Sequence, residues 1–265
     1  MADNFLEKHY AEYEAKRDAL HKANKQGRTQ LSRLHRFSVP TEGIELPTVF
    51  TDPFNYTPHP LCRLAADEVM RFIDCHSEWH EELQQGKMFG VLVVKTIMGQ
   101  LGFLAAYSGL LHKENDIPYF VPAIYDMLNP NGFFKTEERE ISMINKKIGE
   151  DTEGTDIEGL KKERKLRSEA LQKRLFEHFV IINSKGERKN LIEIFQEKEQ
   201  HMPPGGAGEC AAPKLLQYAF RNHLQPLAMA EFWWGNSPKS EKRIHGHFYP
   251  ACEHKCRPIL NFMLK

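Results

Sequence analysis

Apolar positions fall into helical and strand-like runs that alternate along the chain. Leu61, Leu64, Ala65, Val69 and Phe72 recur at helical spacing after Pro58 and Pro60, which predicts a helix ending near Asp74. Met88 to Val94 and Leu101 to Tyr107 are apolar runs separated by a Met98-Gly99 turn, which predicts a buried hairpin. Pro122 to Leu128 reads as a short helix. Thr136 to Glu177 is almost wholly charged. Ile141, Ile144 and Ile148 mark one stripe and Leu171 and Leu175 a later one, which predicts a projecting helical hairpin with few contacts to the body. Phe179 to Ile182 and Leu191 to Phe195 read as two strands about an Asn183–Gly186 turn. A helix from Glu209 to Arg221, a strand from Pro226 to Trp234 and a helix from Cys252 to about Met263 follow.

This pattern gives an α+β chain in four parts: a helical arm over 1–37, an α+β unit with a hairpin over 38–135, the charged hairpin over 136–177, and a ββαβα module over 178–265. Lys22, Lys25, Arg28, Arg33 and Arg36 make the later half of the arm basic. That suits a solvated, mobile segment or an RNA contact.

Hydrophobic residues form 41% of the 265, enough for a sizeable core, and the formal net charge is zero, so only local patches can attract a polyanion. No window reaches the roughly 18 apolar residues of a membrane span, and no secretory leader opens the chain. Both point to a cytoplasmic protein without a membrane partner. Five cysteines in such a chain argue for free thiols or metal ligation over a disulfide framework.

Three of the five carry the candidate chemistry. Cys210 opens a helix after a glycine-rich loop, and Cys252 and Cys256 lie one helical turn apart. Three thiolates converging from two helix starts suit tetrahedral zinc, with His245, His247 and His254 as candidates for the fourth position. Ordinary buried thiols are the plain alternative. Trp233, Trp234 and Tyr249, with Lys239, Arg243, His245 and His247 in the intervening loop, could stack on bases and contact phosphates.

The ββαβα order with these ligands resembles the zinc-dependent deaminase fold, in which a catalytic glutamate follows the first ligand by two residues and a Pro-Cys-x-x-Cys opens the next helix. Ala212 stands where that glutamate would be, and the cysteine pair is spaced C-x3-C. Glu209, just before Cys210, is the remaining candidate for general acid–base work.

A second resemblance rests on longer strings. Phe54 to Ala66 (FNYTPHPLCRLAA), Trp79 to Val94, Pro203 to Gln217 (PPGGAGECAAPKLLQ), Ala228 to Gly235 (AMAEFWWG) and Tyr249 to Cys256 (YPACEHKC) resemble the N-terminal region of a bacterial subgroup of RluA-type RNA pseudouridine synthases. The resemblance implies an accessory, RNA-binding role on ribosomal or transfer RNA, alongside a separate synthase catalytic subunit. The His-Arg-Leu-Asp motif that carries that family's catalytic aspartate is absent. Cys62-Arg-Leu-Ala65 is the nearest string, so the resemblance brings no synthase catalytic residue with it. The alternative is a zinc-dependent deaminase-like hydrolase acting on a nucleobase or nucleotide.

Overall fold

The computed structural model describes residues 32–150, 156–198, 201–238 and 241–265. The helix expected over most of 1–37 therefore lies outside the described residues, as does Lys239. The class is α+β, and its centre is an antiparallel sheet of four strands in the order β2-β1-β5-β6: β1 (Lys87–Lys95), β2 (Leu101–Tyr107), β5 (Gln225–Trp234) and β6 (Phe248–Tyr249). β1 is apolar from Phe89 to Val94 because both of its faces are covered. On one face, α1 (Pro60–Asp74) buries Leu61, Ala65, Val69 and Ile73 against Phe89, Val91, Val93 and Phe232. On the other face, Leu92, Val94, Leu104 and Met229 pack beneath α6 (Ala211–Arg221) and α7 (Cys256–Met263).

The sheet thus draws its strands from both sides of the charged hairpin, and 178–265 is no self-contained ββαβα module. β3 (Val180–Ile182) pairs only with β4 (Arg188–Asn190), in a separate two-stranded sheet. The segment read as a return strand is helix α5 (Leu191–Lys198). Its start is a capping box. The Glu193 amide donates to Asn190 Oδ1 at 3.0 Å, and the Asn190 amide donates to Glu193 Oε2 at 2.7 Å. With those groups satisfied, Leu191, Ile192, Ile194 and Phe195 fall at helical rather than alternating positions, and all four are buried.

Pro122 to Leu128 forms no helix. Asp126 Oδ1 accepts the Leu128 amide at 2.9 Å and the Asn115 side-chain amide at 2.7 Å, a local turn that competes with helical hydrogen bonding. Arg33, expected in a mobile arm, is 5% exposed. Its guanidinium donates to the Ile117 and Phe120 carbonyls and pairs with Asp116 at 2.6 Å. Residues 32–37 are thereby fixed against the free edge of β2, where His35 and Phe103 exchange two backbone hydrogen bonds of 2.9 Å.

The charged segment forms the expected helical pair, α3 (Phe133–Glu150) and α4 (Ile157–His178). Glu140–Arg167 and Glu137–Arg174 bridge the two helices, and Ile144 is buried between them. The base of α4 departs from the solvated arm expected, because Leu171, Leu175 and Phe176 are buried and the latter two join the core beside β3 and α5. Leu175→Ala should therefore cost about 2–5 kcal/mol, the range for truncating a buried leucine, whereas Leu166→Ala at a 58% exposed position should stay within about 0.5 kcal/mol. Urea unfolding midpoints of the two variants check the contrast.

Candidate metal centre

The site forms where α6 and α7 begin. Gly208 (φ +84°) turns the chain into α6, and a Cβ there would lie 2.7 Å from the Phe179 ring, so only glycine fits the approach. Cys210 is the N-cap of α6, in extended conformation, and its side chain makes no capping hydrogen bond. Ala212 at the second helical position still needs an acceptor for its amide, and that acceptor comes from across the sheet: Glu231 Oε1, at 3.3 Å. A carboxylate from β5 thus does the capping, and the Cys210 sulfur is free to turn toward the other cysteines.

The sequence pattern places Cys252 at the start of the final helix, but the structure places it one turn before α7, which begins at Cys256. The Arg257 amide still reaches the Cys252 carbonyl at 3.2 Å, so a helical-type turn joins the two cysteines. The sulfurs of Cys210, Cys252 and Cys256 all lie within 4.8 Å of one another. Hydrogen bonds from the Cys210 and Cys256 thiols hold the Cys252 thiol far below its usual range, and the backbone amides of Lys255 and Cys256 add to this. The same contacts leave Cys210 and Cys256 above that range, Cys210 chiefly through Cys252 and Cys256 chiefly through Cys210. Three full thiolates this close require a cation between them. The donor set suits zinc, a borderline-soft ion taken readily by cysteine sulfur.

No histidine or carboxylate among the described residues joins the three sulfurs. His254 is exposed. His245 accepts the Gly235 amide through Nδ1 at 3.0 Å and packs on Trp234, with ring centroids 4.1 Å apart. His247 contributes its carbonyl to the Trp233 amide at 2.9 Å. Glu209 is half-buried. Burial raises its carboxyl above the usual range, and the charges of Lys214 and Lys255 oppose that rise. Its carboxylate stands apart from the sulfur cluster.

Glu231 is the residue the sequence pattern passes over. It sits in the middle of β5, is 4% exposed, and faces the α6/α7 side of the sheet, as Met229 does. Burial pushes its carboxyl up to about 7, Cys252 adds to the rise, and the Ala212 amide and Arg243 oppose it. The signal is a lone acid within an otherwise apolar strand, Ala228-Met-Ala-Glu-Phe-Trp. Gly90, directly opposite on β1, makes room: a Cβ there would lie 3.0 Å from Ala211 Cβ, 3.1 Å from Leu215 and 3.4 Å from Glu231 Cγ. Lys214, one turn into α6, is also buried. It donates to the carbonyls of Tyr107 and Gly109 at 2.9 Å each, and burial lowers its amine to about 8.

The aromatic and basic residues near the site are mostly engaged with one another. Arg243 lies 4.7 Å from the Tyr249 ring centre and 5.5 Å from that of Trp233, and it is paired with Glu241 at 2.7 Å. Trp233 Nε1 donates to the Asn236 carbonyl, and Tyr249 Oη accepts the Ile244 amide. Trp234 and His245 line a surface cleft of about 420 Å³ with Asp74, His80 and Asn236, on the side of the sheet that carries α1. The larger groove, about 940 Å³ between α3 and α4, is lined by Lys161, Lys162, Arg164 and Lys165 and does not include the cysteines.

No protein family, curated protein or solved structure matches the chain.

Proposed function

We propose that this protein is a zinc-binding accessory module of RNA modification, working beside a catalytic subunit of the RluA-type pseudouridine synthase kind. The observation that carries the reading is the convergence of Cys210, Cys252 and Cys256. These residues come from two of the strings that resemble the synthase-associated region, Pro203 to Gln217 and Tyr249 to Cys256. A third string, Ala228 to Gly235, supplies Glu231. The motif residues therefore build the metal centre, which accounts for their presence without synthase chemistry. Zinc held by the three thiolates ties the starts of α6 and α7 together. RNA meets the outer surface, where His245, His247 and Lys242 are exposed and the α3/α4 groove carries four cations, of which Lys161 and Lys165 are paired with Glu158 and Glu169.

The test is binding of a fluorescently labelled ribosomal RNA fragment to the zinc-loaded protein over a salt series. A log–log slope of several units is expected, with each phosphate contact contributing about 0.7–0.9. Replacing Lys161, Lys162, Arg164 and Lys165 together by glutamine should reduce that slope. Absence of RNA binding at about 50 mM salt would refute the RNA role and leave the metal centre standing.

A second reading, a hydrolase of the deaminase kind, is favoured by one observation. With the α3–α4 pair and the β3–β4–α5 segment inserted after β2, the hairpin β1–β2, helix α6, strand β5 and helix α7 keep the order strand, strand, helix, strand, helix, with Glu231 placing a carboxyl at the amide of Ala212. A carboxyl is thereby present near the site although position 212 itself has none. Release of ammonia from cytidine or adenosine by the zinc-loaded protein would support this reading over the accessory one.

A further inference from the structure

Three sulfurs leave a tetrahedral ion one ligand short, and no other side chain among the described residues joins them. Glu231 is a buried carboxyl beside this cluster: it accepts the amide of Ala212, two residues past Cys210, and its charge is felt at Cys210, Cys252 and Cys256. Its surroundings are unusual for a carboxylate that is 4% exposed. Among the described residues its carboxyl accepts one hydrogen bond, from the Ala212 amide at 3.3 Å, and forms no salt bridge. A carboxylate offers about four acceptor positions, and a buried one is costly unless they are filled. Capping α6 uses one of them and needs no charge, since a serine or asparagine at the N-cap would do the same. Neither of its oxygens is a fully buried atom left without a partner, so the remaining capacity is open to solvent or to a ligand at the site. Arg243 is the cation whose field reaches Glu231, but it pairs with Glu241, and its Nη1 is buried without a hydrogen-bond partner among the described residues. The surroundings of Glu231 are therefore polar and incompletely satisfied, unlike the closed shell of a purely structural site built from four cysteines.

We propose that the metal centre is open on its fourth side and that Glu231 is the positioning residue there, accepting a hydrogen bond from the exchangeable ligand that completes the shell. Because a carboxylate accepts, the favoured ligand carries a proton: water, a hydroxyl or an amino group. This rests on the zinc reading above and goes beyond it, since a structural zinc needs no such opening. It also assigns Glu231, rather than Glu209, the carboxyl role at the site. The carboxyl is not itself a ligand, because its oxygens stand outside the group of mutually close donor atoms.

Cobalt(II) substitution tests this without any assay of activity. The full chain is loaded with Co²⁺, and its visible d–d bands are followed at pH 8 while azide, an anion without a proton, is added. Azide is expected to shift the bands of the wild-type protein. In Glu231→Gln the side-chain amide can donate, so azide should bind about tenfold tighter, while the thiolate-to-cobalt charge-transfer intensity stays unchanged. Bands insensitive to azide in both the wild-type protein and Glu231→Gln would overturn the open fourth side. Equal azide affinity in the two proteins would overturn the role of Glu231. Failure to take up cobalt, with all three thiols reactive, would instead refute the zinc reading itself.

Discussion

Cys256→Ser is expected to abolish stoichiometric zinc, taking the protein from one ion per chain to none by elemental analysis. Cys256 is 1% exposed and sits between the other two sulfurs and the packed face of α7. Serine there offers a weaker ligand, and two thiols remain for an ion that needs three or four protein donors. Stability should fall as well. An ion present at about a thousand times its dissociation constant stabilises the fold by about 4 kcal/mol. At about 2–4 °C per kcal/mol for a chain of this size, a chelator should lower the wild-type melting temperature by roughly 10 °C. The same chelator should leave Cys256→Ser unmoved. Cys75→Ser is the control: Cys75 is exposed and outside the cluster, so zinc content and melting temperature should both hold. A Cys256→Ser protein that keeps one tightly bound zinc would show that the ion sits elsewhere.

Gly90→Val should damage the same centre without touching a ligand. At Gly90 even the first added carbon meets Ala211 and Leu215 at 3.0–3.1 Å, and valine adds two more. Helix α6 must lift from β1, or β1 must shift from β5. Lifting α6 separates Cys210 from Cys252 and Cys256, and Ala212 from Glu231. Overpacking of this kind costs about 1–3 kcal/mol or more, and zinc affinity should fall by at least about tenfold. Competition with a chromophoric chelator measures the second effect and denaturant unfolding the first. Gly149→Ala gives the contrast. It lies in helix α3 with nothing within 4 Å of the added carbon, so it should be neutral or stabilising by up to about 1 kcal/mol. If Gly90→Val binds zinc like the wild type, the contact of α6 with β1 does not set the geometry of the site.

Much of the fold is legible because local patterns are strong. α1 announces itself by Pro60 and a clean apolar stripe, β1 and β2 by unbroken apolar runs about a glycine turn, and β5 by a long apolar run. α5 reads wrongly as a strand because Leu191-Ile-Glu-Ile-Phe195 is rich in β-branched residues and short, so strand and helix periods both fit. The pairing of Asn190 with Glu193 decides between them. The partner of β5 is not legible at all. Its neighbours in sequence suggest the segments Phe179–Ile182 and Leu191–Phe195, whereas its sheet partner is β1, far back along the chain. With that partner misplaced, Glu231 cannot be seen to cap α6. Cys210, Cys252 and Cys256 do not depend on knowing the pairing. Two of them are fixed by a one-turn spacing and the third by the helix start, and both are local signals.

Zinc-edge X-ray absorption of the purified protein should show one zinc per chain with three sulfur scatterers at about 2.3 Å and one lighter oxygen or nitrogen scatterer at about 2.0 Å. Protein that emerges metal-free from zinc-supplemented medium, with all three thiols open to alkylation, would contradict it.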